Sequence, residues 1–238
     1  MKKLEGLLNN MVIGNGQIAK FFNDFKNNQD ILIFASGVSN SNCTNLKEFK
    51  REEDLLIDAL TNHREKKFVY FSSCALSSNE YLKNEYYLHK ERMENIIKKS
   101  SENYYIFRLP QVFSELKNHN TLINFLYFSI LNGNSFNLYN NAYRYVIDLE
   151  DIKILVKSIL NNYDFSIVMD LANPYRYSVI EIVNFIESLV NRKGNYNIID
   201  KYDGYELNLK ELIHYIEQEK LPINFSSNYL FEKLIKKI

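Results

Sequence analysis

Tyr86 and Lys90 stand four residues apart in the run Tyr86-Tyr87-Leu88-His89-Lys90, so a helix would carry both on one face. A phenol with a pKa of about 10 is a poor acid–base group at neutral pH. A cation beside it favours the phenolate and makes the hydroxyl a usable proton donor or acceptor. The chemistry such a pair serves is interconversion of a carbonyl and an alcohol. Chance supplies this spacing easily in a chain with 18 tyrosines, so its surroundings decide its meaning. Ser72 and Ser73 follow the apolar run Phe68–Phe71, where a hydroxyl can hold a reacting oxygen beside the phenol. The plain alternative for such serines is capping of a strand end. A third constellation is Gly14-Asn15-Gly16-Gln17-Ile18-Ala19. A glycine-rich turn between strand and helix lets backbone approach a pyrophosphate, and the helix start favours negative charge. Taken alone, this motif is equally an ordinary tight turn.

The elements that must position these residues follow from periodicity. Short apolar runs alternate with amphipathic stretches, the pattern of a parallel sheet covered on both faces. Residues 11–13 read as a strand, 17–26 as a helix with Ile18, Phe21, Phe22 and Phe25 on one stripe, and 31–35 as a buried strand. Residues 36–45 read as a polar loop, 46–63 as helix and 68–71 as strand. Helices are expected over 84–100, 120–132, 149–160 and 179–190, with one or two more in the tail. Strands are expected over 104–108, 145–147 and 167–171. The fold class is therefore α/β and Rossmann-like. One domain over 1–238 is the simplest division, with a cofactor-binding core over about 11–113. Residues from about 114 form mixed core and a small substrate-side lobe.

Bulk properties narrow the partners. With 238 residues, a formal net charge of zero and 24% charged residues, nothing attracts nucleic acid or an anionic membrane. The two cysteines, Cys43 and Cys74, make neither a disulfide framework nor a metal site, so no metal is expected. Without a signal peptide or an apolar run of membrane-spanning length, a cytoplasmic enzyme is the expectation.

The strings FVYFSSCAL, YYLHKERME, YYIFRLPQVFS and RYVIDLEDI, in that order, resemble the extended short-chain dehydrogenase/reductase family of sugar-nucleotide epimerases, dehydratases and reductases. The resemblance covers about residues 11–190. It implies Tyr86 as acid/base, with Lys90 orienting the nicotinamide ribose and lowering the phenol pKa. Ser73 would bind the reacting oxygen, with Ser72 as substitute because the register is open by one. Gly14, Asn15, Gly16, Gln17, Ile18 and Ala19 would face the pyrophosphate of NAD or NADP, and Ala35, Ser36 and Gly37 would line the cofactor. Glu94, Arg108 and Pro110 match the family's motif positions. Arg144 stands where the family often meets the sugar nucleotide's phosphates, the plain alternative being a surface ion pair. Asn120 opens the stretch 120–126 that would contact the nucleotide sugar, the plain alternative for its apolar residues being a core helix. Asp148 and Asp151 read as helix caps.

One departure bears on the cofactor. About a dozen residues separate Ala19 from Ile31, room for one helix, so the usual second and third strands are expected to be missing. The residue that discriminates NAD from NADP normally ends the first of these. The implied function is a nicotinamide-dependent oxidoreductase or epimerase acting on a nucleotide-linked sugar in surface polysaccharide synthesis. The competing reading is a non-catalytic protein that binds a nucleotide or sugar nucleotide, with a regulatory or scaffolding role. A dehydratase fits less well, because Cys74, Ala75 and Leu76 follow Ser73 instead of an acidic pair. A homodimer is open, with Leu82, Leu88, Met93, Ile96 and Ile97 as either its contact surface or core.

Overall fold

The computed structural model describes residues 10–78, 84–116 and 121–237. In chain order the elements begin β1 (Val12–Ile13), α1 (Gln17–Phe21), β2 (Ile31–Phe34), α2 (Leu46–Asn62), β3 (Lys67–Ser73), α3 (Glu85–Ser100) and β4 (Tyr104–Leu109). They continue with β5 (Gln111–Phe113), α4 (Leu122–Asn132), β6 (Ser135–Arg144), β7 (Val146–Asp148), α5 (Leu149–Asn162) and β8 (Ile167–Asp170). The last are β9 (Tyr177–Ser178), α6 (Val179–Val190), β10 (Asn195–Asp203), α7 (Lys210–Gln218) and α8 (Tyr229–Ile235). None of the described helices is long and apolar enough to cross a membrane.

The described residues form two compact units. The first takes 10–76, 84–108 and 153–170, and the second takes 77–78, 109–116, 121–152 and 171–237. The helix α5 contributes residues to both units.

In the first unit a five-stranded sheet runs β1-β2-β3-β4-β8, with β1–β2, β2–β3 and β4–β8 pairing parallel. This is the Rossmann-like α/β sheet expected from the sequence. β1 pairs directly with β2, so the usual second and third strands are missing here. One face carries Leu32, Phe34, Phe68, Tyr70 and Ile106, packed with Leu56 and Leu60 of α2 and Met93 and Ile97 of α3. The opposite face carries Phe71, whose ring lies 5.5 Å from that of Phe22 and 6.4 Å from that of Phe107. Burial on both faces is why these strands read as continuous apolar runs instead of alternating ones.

Local chemistry sets the helix starts. The Asn45 side chain accepts from the Lys47 amide, and Asn84 accepts from the Tyr87 amide, capping α2 and α3. The helix expected over 17–26 ends at Phe21. A tighter turn over Asn23–Phe25 follows, closed by the Phe25 amide on Phe22 O, and it buries both Phe22 and Phe25.

In the second unit β6 pairs parallel with β10 and antiparallel with β9, while β5 and β7 form a separate parallel pair. Its core joins Phe113, Ile123, Ile130, Leu138, Ile182, Ile186 and Tyr229. β6 and β10 were not among the expected strands.

Candidate active site

The glycine turn is closed by backbone contact. Gly14 has φ +133°, and a Cβ there would stand 2.4 Å from Ala35 O, so the end of β1 meets the end of β2 only through glycine. The Ala35 amide also donates to Ile13 O at 2.7 Å. Gly16 is the N-cap of α1 with extended backbone, and a Cβ there would meet nothing within 4 Å. Protein packing therefore does not require glycine at 16, and the space over this backbone is open to a ligand. Asn15 is exposed and Gln17 and Ile18 are half-buried along the same turn.

The loop after β2 is tied down by two consecutive residues of α2. Arg51 donates to Ser36 Oγ at 3.0 Å and to Ser36 O at 3.1 Å. Glu52, completely buried, accepts from the Val38 amide at 2.6 Å. The same carboxylate accepts from Tyr70 Oη at 2.7 Å and Lys90 Nζ at 2.9 Å, and lies 3.0 Å from His89 Nε2. Because a carboxylate offers only acceptors, His89 serves here as the donor. Lys90 Nζ also donates to Tyr70 Oη at 3.0 Å. Burial pushes the Glu52 carboxyl up, but the Lys90 charge and the His89, Val38 and Tyr70 bonds outweigh it and hold it far below its usual range. Burial first, and Glu52 second, push the Tyr70 phenol well above its ordinary value, so it remains a hydroxyl.

Tyr86 and Lys90 do share a face of α3. Lys90 Nζ lies 5.8 Å from the centre of the Tyr86 ring and 5.1 Å from that of Tyr70. The ammonium is directed into Glu52 and Tyr70, and the expected lowering of the Tyr86 pKa is not what this arrangement produces. Burial, then Tyr87, whose ring stands edge-on at 5.1 Å, and then Glu52 push the Tyr86 phenol up. Lys90 retains a third N–H with no acceptor among the described residues. A Cβ on Gly37 would stand 2.6 Å from Nζ and 3.1 Å from Glu52 Oε1, so the buried Lys90–Glu52 pair packs directly against this glycine.

At the end of β3, Ser72 is buried and Ser73 half-buried, with the Ser73 hydroxyl accepting from the Ala75 amide at 3.4 Å. Strand alternation puts Ser72 on the face of Tyr70, toward α3, and Ser73 on the other. Cys74 Sγ, fully buried, donates to Arg108 O at 3.1 Å. Arg108 donates from Nε and Nη2 to the two oxygens of Glu94, at 2.9 and 2.7 Å, clamping β4 to α3. Burial raises the Glu94 carboxyl, and Arg108 more than reverses that, leaving it lowered. The motif residues Glu94 and Arg108 thus meet each other.

In the second unit Arg144 donates to Asp203 Oδ2 at 2.5 Å, to Asp203 O at 2.9 Å and to Tyr143 O at 2.8 Å. This matches the ion-pair alternative. Asn120 lies outside the described residues. Asp148 accepts from the Glu150 amide at the start of α5 and pairs with Lys237, and Asp151 accepts from Tyr229 Oη and Lys233 Nζ. Both acids are occupied in holding helix ends. Met93 and Ile97 are fully buried in the core, Ile96 is half-buried, and Leu88 is 50% exposed; Leu82 is outside the described residues. No group of three His, Cys, Asp or Glu among the described residues can hold a metal.

Glu52, Tyr70 and His89 were not among the expected site residues. For Glu52 the signal was present: with Phe49, Leu56, Ala59 and Leu60 it lies on the apolar stripe of α2.

No family model and no curated protein matches the sequence. Solved structures do match the fold. The UDP-N-acetylglucosamine 4-epimerase of Methanobrevibacter ruminantium aligns with TM-score 0.67 at 17% identity, covering 94% of this chain and 78% of that one. The dTDP-glucose 4,6-dehydratase of Bacillus anthracis, in complex with NAD, aligns with TM-score 0.69 at 13% identity, covering 94% and 76%. The dTDP-4-dehydrorhamnose reductase of the same organism, in complex with NADP, aligns with TM-score 0.66 at 13% identity, covering 87% and 80%. These neighbours are sugar-nucleotide enzymes of the extended short-chain dehydrogenase/reductase type, and the chain has their Rossmann-like fold.

Proposed function

We propose that the protein is an NAD(P)-dependent oxidoreductase or epimerase acting on a nucleotide-linked sugar in surface polysaccharide synthesis, a cytoplasmic reaction. The observation that carries this reading is the joint placement of Tyr86 and Lys90 on α3, packed on β3, with the Lys90 ammonium against Gly37. The open backbone at Gly16 fits the pyrophosphate of a dinucleotide. Gly14, Asn15, Gly16, Gln17 and Ile18 would receive its pyrophosphate, and Ala35, Ser36, Gly37 and Lys90 its nicotinamide ribose. The bound nicotinamide supplies the hydride chemistry.

The chain's own part is proton transfer and placement. Ser72, which strand alternation puts toward α3, would hold the sugar oxygen by its hydroxyl, with Ser73, expected from the resemblance, on the other face as the alternative. Tyr86 would exchange the proton; its phenol, raised by burial, stays protonated and is a weak acid until a cation lowers it. Reduction of a keto sugar nucleotide, in which Tyr86 gives up a proton, is the half-reaction to assay first. The test is NADH or NADPH oxidation in the presence of 4-keto UDP- or dTDP-sugars. Tyr86→Phe is expected to lose about 10²–10⁴-fold in turnover. A Tyr86→Phe protein with full turnover rejects the mechanism.

A second reading, a non-catalytic sugar-nucleotide binder, is favoured by one observation: Glu52 neutralises the lysine that should activate the phenol. Binding of cofactor and sugar nucleotide without any hydride transfer would establish it. A homodimer remains a proposal as well, with exposed Leu88 as a contact candidate.

A further inference from the structure

A buried carboxylate with four donors is an unusual investment next to a lysine that is to meet a ligand. Glu52 Oε1 takes Lys90 Nζ and Tyr70 Oη, while Oε2 takes the Val38 amide and His89 Nε2. One side chain on α2 thereby fixes two side chains of α3, a hydroxyl of β3 and the backbone just beyond Gly37. Lys90 and the Gly37–Val38 backbone also meet each other, since Nζ packs where a Gly37 Cβ would stand.

We propose that Glu52 is a positioning residue of the cofactor site: it sets where Lys90 presents its free N–H and holds the Gly37–Val38 backbone against the ammonium. The proposal rests on the nicotinamide-cofactor reading and adds to it the residue that shapes the site. Two of the lysine's three N–H groups are taken by Glu52 and Tyr70, which leaves one for a ribose hydroxyl. Without the carboxylate a buried ammonium would have no counter-charge and would turn toward solvent or Tyr86.

Glutamine cannot take this place. Its amide has one accepting and one donating end, and each end of Glu52 faces a group that can only donate. Those groups are the Lys90 ammonium on one side and the Val38 N–H on the other. Glu52→Gln therefore breaks at least one of the two links at nearly constant volume.

The experiment is a thermodynamic cycle on cofactor affinity. The wild-type chain, Glu52→Gln, Lys90→Met and the double variant are titrated with NADH and with NADPH, and each is checked by circular dichroism and melting. Glu52→Gln is expected to weaken binding about tenfold or more. The double variant is expected to bind no more weakly than Lys90→Met, because Glu52 acts through Lys90. Should Glu52→Gln fail to fold, Tyr70→Phe removes the hydroxyl shared by both partners and is expected to weaken binding severalfold. Unchanged affinity in a folded Glu52→Gln or Tyr70→Phe overturns the role of Glu52 and leaves the functional reading standing. Losses that add independently in the double variant also overturn it, since a merely structural residue behaves so. A wild-type chain that binds neither cofactor overturns the functional reading, and this proposal with it.

Discussion

Glu52 and Lys90 are both almost fully enclosed, at 0% and 2% exposure, so neither charge has water to fall back on. Taking one member away from such a pair strands the other, at a typical cost of ~3–5 kcal/mol, whereas replacing both is far milder. Lys90→Met is therefore expected to destabilise the chain strongly in urea unfolding, and Glu52→Gln added to it to restore much of the loss. The same carboxyl makes stability depend on pH. Its folded value is depressed below the ordinary 4.5, so its contribution is complete above that value and is lost as pH falls through it. Unfolding free energy measured from pH 7 to pH 3 should fall more steeply in the wild type than in Glu52→Gln. A parallel pair of curves would contradict this. The residue itself was legible as an acid interrupting an apolar stripe. Its four partners were not, because they come from β3, α3 and the loop after β2, and no spacing within α2 encodes them.

At the scale of elements, two glycines are set by different neighbours, one by backbone and one by a buried ion pair. A Cβ at Gly14 would strike the carbonyl of Ala35, and φ +133° is strained for any other residue, so Gly14→Ala should shift the ends of β1 and β2 and lower the melting temperature. A Cβ at Gly37 would meet the buried Lys90 ammonium and Glu52 carboxylate. Gly37→Ala is expected to displace Nζ, weakening NADH binding and also lowering the melting temperature, because the pair it disturbs is buried. A Gly37→Ala protein with wild-type affinity would show that no ligand uses Lys90. The buried parallel strands were readable because burial on both faces makes them apolar throughout, as in Ile31–Phe34. β6 shows buried Phe136 and Leu138 alternating with exposed Ser135 and Asn137, a strand signal masked by the asparagines that follow. β10 is exposed along nearly its whole length, so it has no buried face whose period could announce it. Its pairing with β6 supplies what its sequence does not.

The order of strands in the whole first unit argues about the cofactor. In the common doubly wound sheet the order reverses at the first strand, and the dinucleotide lies across that reversal, half on each side. Here the order β1-β2-β3-β4-β8 runs in one direction from β1. Residues 22–30, all described, pass from α1 through one tight turn straight into β2, so this connection contains no strand end to carry a ribose-reading side chain. On the proposed reading, the residues that would recognise a cofactor are the glycine turn at its pyrophosphate and Gly37, Lys90 and Tyr86 at its nicotinamide side, with none at the adenosine. Recognition of the adenosine 2′ position should then be weak. NADH and NADPH, which differ only there, are expected to bind within about tenfold of each other, where a built-in acid or arginine would separate them further. Reduced nicotinamide mononucleotide, which lacks the adenosine half, should retain more of the dinucleotide's affinity than it does in an enzyme with the complete sheet. Side-by-side titrations of the three compounds decide it. A strong preference for one dinucleotide would mean that another part of the chain supplies the adenosine wall, and the one-directional sheet would no longer explain the choice of cofactor.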